Sequence, residues 1–157
     1  MFLASEPLGM FAGLPLHPLL VHSAVVLVPL VAVGALVMSY LPSFSRRHGK
    51  LILILALVAQ VSVFLAKMSG EAFAEILDKN VEKQAELGEI APLVTFPMVA
   101  LIYLRWRMDR AGSSIGNATV RRLTSIALVI SSLVSLVVIF LVGHSGASSV
   151  WGWIDKL

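Results

Sequence analysis

Four long apolar runs dominate the sequence and limit the folds that the chain can adopt. They cover about 18–41, 50–69, 90–106 and 123–142. Each is close to the roughly 20 apolar residues that an α-helix needs to cross a hydrocarbon core about 30 Å thick. Backbone polar groups in lipid must be bonded within the segment itself, which favours helices for such runs. The sequence therefore predicts an all-α integral membrane four-helix bundle that forms one domain over 1–157.

The composition agrees with lipid as the solvent for most of the chain. Hydrophobic residues make up 58% and charged residues 13% of the 157 residues, and the mean hydropathy is +0.92. These are too few polar groups to cover the surface of a water-soluble domain of this size. Cysteine is absent, which excludes disulfides, thiolate metal sites, iron–sulfur clusters and covalently attached c-type haem.

Basic residues concentrate in two connecting segments and predict the orientation. Segments 42–50 and 105–122 together hold eight Lys and Arg residues and one acid, Asp109. The positive-inside rule makes these segments cytoplasmic, which gives an N-out, C-out, multi-pass protein of the bacterial cytoplasmic (inner) membrane. The basic residues flank apolar runs and form no recognition motif, so no nucleic-acid partner is expected. The expected partners are the lipid bilayer and either other membrane protein subunits or further copies of the chain.

Residues 70–89 form the one long polar connection in the sequence. Its acidic residues recur at steps of three and four, which places them on one stripe of an amphipathic helix. They are Glu71, Glu75, Asp78, Glu82, Glu86 and Glu89. We expect an acidic outer helical hairpin between the second and third spans, with its break at 78–80, and a single surface-lying helix is the alternative. A solvated face is favoured over a cation site.

Small and polar residues within the spans predict close helix packing, because small side chains let helices approach and hydroxyls bond between helices in lipid. They are Ala32, Gly34, Ala35, Ala56, Ala59, Ser62, Ser125, Ser131, Ser132 and Ser135. Gln60 and Lys67 are the polar groups of the second span. We expect structural roles for both, with the amide bonded to a neighbouring helix and the ammonium reaching the outer surface.

Three of the four histidines approach the same predicted membrane face. His17 and His22 lie at the outer beginning of the first span, and His144 lies at the outer end of the fourth, framed by Gly143 and Gly146 in a predicted flexible turn. His48 lies in the basic connection and is interpreted as a solvated loop residue. Because His17 and His22 are five residues apart, one helix would turn them about 140° from each other.

The positions of these imidazoles allow two interpretations of their role. Two histidines on facing helices can hold b-type haem axially, so His22 and His144 are the first candidates for a haem or metal site, with His17 in reserve. The alternative is that the imidazoles bond helix ends and carbonyls at the membrane interface. No metalloprotease, phosphate-loop or nucleophile-elbow motif is present in the sequence.

The segment 16–22, Leu-His-Pro-Leu-Leu-Val-His, and the segment 143–147, Gly-His-Ser-Gly-Ala, resemble the bacterial domain of unknown function 2231, a family of small predicted membrane proteins. The resemblance covers nearly the whole chain. It implies four spans, histidines near one membrane face and a redox context, since related domains are joined to Rieske-type or cytochrome modules. Many members carry His-Phe-Pro where this chain has His-Ser-Ala at 22–24, and a further histidine near Gln84. The resemblance thus implies that a ligand from the third helix is missing here.

The sequence therefore favours a small, non-catalytic accessory or structural subunit in a respiratory or redox membrane context. The alternative function is a membrane electron-transfer protein that binds b-type haem, or a metal, through the outer histidines. Transport ranks third, because one glutamine and one lysine make a poor polar pathway across four spans.

Overall fold

The computed structural model describes the backbone at 10–11, 14–77, 82–112 and 116–151, and the side chains at 16–70, 86–112 and 116–148. Within these segments it contains four α-helices. They are α1 (Leu16–Tyr40), α2 (Pro42–Leu77), α3 (Glu82–Ala111) and α4 (Ala118–Trp151). Two strands of two residues each, β1 (Met10–Phe11) and β2 (Leu14–Pro15), pair antiparallel just before α1. The predicted all-α fold class is confirmed, since this pair is too short to form a layer of its own.

The four helices form a closed antiparallel ring. Each helix packs against the next along the chain, α4 packs back against α1, and α1 and α3 face each other across the ring with fewer contacts. Short connections between consecutive helices favour this arrangement. Each helix contains a segment long and apolar enough to cross a membrane: Leu16–Tyr40, Pro42–Gly70, Glu86–Ala111 and Ala118–Ser148.

The core of the bundle is built from small and branched side chains. Val28, Val31, Ile102 and Leu128 are fully buried at its centre. The small residues that the sequence singled out in the first two spans are buried as well: Ala32, Gly34, Ala35, Ala56, Ala59 and Ser62. The outer surface is apolar, and Leu93 and Phe140 are 74% and 69% exposed. An exterior of this kind is suited to lipid and not to water.

α3 ends and α4 begins at the same end of the bundle, and residues 113–115 between them lie outside the described residues. α3 ends at Ala111, and Gly112 follows with a φ of 62°, a left-handed conformation that glycine adopts without a steric penalty. Asn117 caps α4, because its Oδ1 accepts a hydrogen bond of 2.9 Å from the backbone N–H of Val120. The basic ends of α3 and α4 lie side by side there, since Arg121 of α4 contacts Asp109 of α3.

Helical structure extends beyond two of the boundaries that the sequence suggested. The predicted turn around His144 is wrong, because α4 continues as a helix to Trp151. Glycine is tolerated in membrane helices, and Gly143 packs next to Val25 of α1, where an added Cβ would make an ordinary van der Waals contact at 3.5 Å. The loop interpretation of His48 is also wrong, since α2 begins at Pro42 and includes it.

The acidic connection is only partly described. α2 continues as a helix to Leu77 and α3 begins at Glu82. The predicted break at 78–80 lies outside the described residues, as do the side chains of 71–85. The acidic outer hairpin therefore stays a prediction.

Candidate functional site

The bundle has two chemically different ends. The histidine end contains the beginning of α1 and the last turns of α4, and it holds His17, His22 and His144. The Arg-rich end contains the end of α1, the beginning of α2, the end of α3 and the beginning of α4. Segments 42–50 and 105–122 lie there, with eight Lys and Arg residues.

His17 contacts α2. Because α1 begins at Leu16, His17 lies on the helix, and its Nδ1 is 3.1 Å from both the carbonyl oxygen of Ala66 and the Oγ of Ser69. Nδ1 donates to the carbonyl, and Ser69 donates to the same oxygen. Gly70 allows this approach, since a Cβ there would lie 3.0 Å from the imidazole Cε1. His17 is thus held between the first two helices.

His22 lies on the exposed side of α1, away from His17. Its Nδ1 donates a hydrogen bond of 2.6 Å to the carbonyl oxygen of Pro18, one turn earlier on the same helix. Such a bond fixes the ring orientation and leaves Nε2 as the nitrogen with a lone pair. Histidines that bind metals are commonly oriented in this way.

His144 borders a groove between α1 and α4. The groove has a volume of about 530 Å³ and is lined by Val25, Pro29, Leu136, Ile139, Phe140, Gly143 and His144. The imidazole of His144 stacks on the ring of Phe140, with centroids 6.0 Å apart and planes within 6°. An apolar groove with one polar group at its rim is typical of sites that take amphipathic ligands.

The three candidate histidines therefore have three different environments. His144 lines the groove, His22 is exposed on α1, and His17 faces α2. Among the side chains that the structure describes, no three His, Asp or Glu residues converge as a metal site. The residues present fit a group bound through one imidazole in the groove better than a group held between two.

Gln60 bonds α2 to α3 in the middle of the bundle. Its Nε2 donates to the carbonyl oxygen of Pro92 at 3.0 Å, and its Oε1 accepts from the hydroxyl of Thr95 at 2.8 Å. Ser135 adds a longer bond of 3.4 Å from α4 to the carbonyl of Val94. The expected structural role of Gln60 matches these contacts, in which each amide atom has a partner on the neighbouring helix.

A buried charge cluster joins α3 and α4 at the Arg-rich end. The two oxygens of Asp109 contact different arginines: Oδ1 accepts from Nη2 of Arg121 at 2.7 Å, and Oδ2 lies 2.8 Å from Nε of Arg105. Arg105 also donates to the Oγ of Ser125 at 2.6 Å, and Arg121 to the carbonyl of Met108 at 2.8 Å. Both Arg105 and Asp109 are buried.

Sequence reasoning missed this cluster. In the sequence, Arg105, Asp109 and Arg121 served only as charges that predict the orientation. One signal was available, because Asp109 follows Arg105 by four residues and is the only acid in its segment, and such a spacing places two side chains on one helix face. The contact with Arg121 depends on how α4 packs against α3, which the sequence pattern did not specify.

Comparison with known proteins gives one family match. A family model described as "Predicted membrane protein (DUF2231)" matches residues 13–153. No curated protein and no solved structure matches the chain.

Proposed function

The chain belongs to the DUF2231 family of predicted membrane proteins, and from this premise we propose that it is a non-catalytic accessory or structural subunit of a respiratory or redox assembly in the bacterial cytoplasmic membrane. The redox context follows from the family resemblance. The supporting role follows from how the bundle uses its polar side chains.

One observation carries the proposal: Gln60 and Asp109, two polar side chains between the helices, each bond to the neighbouring helix. Gln60 bonds to Thr95 and Pro92, and Arg105 and Arg121 share Asp109. Polar groups are costly in lipid, so those in functional pathways generally face a cavity or a partner. Here they stabilise the bundle itself, which suits a subunit that contributes surface and rigidity.

Co-isolation tests this proposal. The tagged chain is expressed from its own promoter and extracted in digitonin, and the product is analysed by native mass spectrometry, with untagged membranes as the control. We expect the chain in constant ratio with at least one subunit that carries haem, flavin or an iron–sulfur cluster. Recovery of the chain by itself, as a monomer of 16.9 kDa or as a homo-oligomer, in both digitonin and dodecyl maltoside would contradict the proposal.

Haem binding is the second candidate function. The observation that favours it is the position of His144, which lines an apolar groove next to Phe140. Haem bound there would supply one-electron chemistry. His144 would hold the haem, and His22, with its Nδ1 bonded to Pro18, is the remaining candidate at the same end.

The visible spectrum of the protein purified from haem-replete cells tests this function. If haem is bound, we expect a Soret band that shifts on reduction with dithionite and is lost in His144→Ala. His48→Ala is the matched control, because His48 lies at the Arg-rich end of the bundle, and it should keep the band. A colourless protein, or a band that survives His144→Ala, would rule out haem at this site.

A further inference from the structure

α2 and α3 pack closely where they meet at the Arg-rich end, and Gly49 and Trp106 form the contact. A Cβ on Gly49 would lie 2.8 Å from Cγ of the Trp106 side chain, so the α2 backbone touches the indole. Tyr103 lies edge-on to the same indole, with ring centroids 6.5 Å apart. We call the surface around this contact, formed by Arg46, Lys50, Tyr103, Trp106 and Arg110, the basic seam.

Three exposed cations from two helices border the basic seam. Arg46 lies three residues before Gly49, and Lys50 lies one residue after it. These offsets place the two cations about 60° and 100° from Gly49 around the axis of α2, on the same side of the helix. Arg110 follows Trp106 by one turn, and its guanidinium carbon lies 5.4 Å from the Trp106 ring centroid. The three charges therefore lie on the sides of α2 and α3 that flank the half-buried indole, and Arg110 contacts its ring.

No exposed carboxylate offsets these charges at the Arg-rich end of the bundle. Asp109 is the only acid in segments 42–50 and 105–122. It is 2% exposed, and both of its oxygens are occupied by Arg105 and Arg121. The cations that remain exposed there are Arg46, Arg47, Lys50, Arg107, Arg110 and Arg122. The surface is thus complementary to an anion.

The ligand that fits is amphipathic, because the basic seam continues into an apolar surface toward the middle of the bundle. Leu57 follows Lys50 by two turns on the same stripe of α2, and Phe96 precedes Tyr103 by two turns on α3. These two apolar side chains are 51% and 61% exposed. Indole and phenol rings favour the headgroup level of a bilayer, and guanidinium groups match phosphate oxygens in geometry.

We propose that the basic seam between α2 and α3 is a binding site for an anionic phospholipid. Arg46, Lys50 and Arg110 hold the headgroup phosphate, and an acyl chain lies along Leu57 and Phe96. Basic surfaces between membrane helices are suited to anionic lipids because each cation near the phosphate adds attraction. The site is independent of the histidine end and of the proposed function.

A pair of charge-matched variants tests the site. R46Q/K50Q/R110Q removes the three cations of the basic seam, and R47Q/R107Q/R122Q removes three exposed cations outside it. Each variant is titrated in detergent with phosphatidylglycerol and with phosphatidylcholine, and binding is followed by native mass spectrometry. Circular dichroism without lipid checks that both triple variants are folded. If R46Q/K50Q/R110Q is not folded, the single variant Lys50→Gln replaces it.

The wild type should bind phosphatidylglycerol at least about tenfold more tightly than phosphatidylcholine. The seam variant should lose affinity for phosphatidylglycerol by about fivefold per cation, on the order of 100-fold in all, and the control should stay within about threefold of the wild type. Equal losses in both variants would overturn the site, since the charges would then act diffusely. Equal binding of both lipids, or displacement of the lipid by micromolar glycerol phosphate, would overturn the lipid assignment.

Discussion

At the scale of single residues, Asp109 is a buried carboxylate in contact with two arginines. It lies between Arg105 and Arg121, and neither of its oxygens is exposed to solvent. Removing one member of a buried charge cluster lowers the stability of the fold by more than the intact cluster adds to it, because the remaining charges stay buried without a counter-ion. Asp109 therefore stabilises the contact between α3 and α4.

Asp109→Asn should destabilise the bundle by about 3 kcal/mol, the lower end of the range for breaking a buried ion pair, since two guanidinium groups would lose their counter-ion. The free energy of unfolding in mixed detergent micelles measures this effect. Glu89→Gln is the matched control, because Glu89 is an exposed carboxylate, and it should change stability by less than about 0.5 kcal/mol. A loss of similar size in both variants would contradict the importance of the buried cluster.

Residue positions relative to helix ends explain why the sequence did not place the histidines. The first apolar run begins at about residue 18, whereas α1 begins at Leu16. His17 is therefore part of the helix and contacts α2 through Ala66 and Ser69. A shift of one or two residues in a helix start is within the ordinary uncertainty of such boundaries, yet it decides the direction of a side chain.

At the scale of the helices, close packing depends on where glycine meets a rigid neighbour. Gly49 faces the indole of Trp106, and Gly34 faces the terminal carbon of Ile52, where a Cβ would lie 2.7 Å away. A flexible isoleucine can change rotamer, whereas an indole packed between two helices moves only with its helix. An added methyl group should therefore lower the stability of the bundle more at Gly49 than at Gly34.

Gly49→Ala should separate α2 from α3 at the Arg-rich end and lower stability by about 1–3 kcal/mol, the usual cost of overpacking. Gly34→Ala should cost less, because the Ile52 side chain can move. Gly88→Ala is the control, since nothing lies within 4 Å of its added Cβ, and the higher helix propensity of alanine should stabilise α3 slightly. The free energy of unfolding is measured for the three variants under the same conditions. If Gly49→Ala were the least destabilising of them, a rigid contact between Gly49 and Trp106 would be contradicted.

At the scale of the whole molecule, the sequence predicts the helices well and the contacts between them poorly. The apolar runs identify the four helices because lipid requires a long apolar segment for each crossing. Hydropathy indicates which residues lie within the membrane, and it does not locate the ends of helices. α2 and α4 therefore extend beyond the apolar runs that predicted them, to Pro42 and Trp151 respectively. The burial of Ala56 and Ala59 follows from residue size. The pairing of Asp109 with Arg121 cannot be predicted in this way, because it depends on how α3 and α4 pack against each other.

We predict a lipid-embedded four-helix bundle with its Arg-rich end in the cytoplasm and both termini outside. Paired reporter fusions test it directly, with alkaline phosphatase, active only outside the cytoplasm, or green fluorescent protein, fluorescent only within it, joined after Leu157 or after Gly112. We predict active phosphatase after Leu157 and fluorescence after Gly112. Fluorescence after Leu157 together with active phosphatase after Gly112 would contradict the orientation, and the same reporter active at both positions would contradict the alternating crossings.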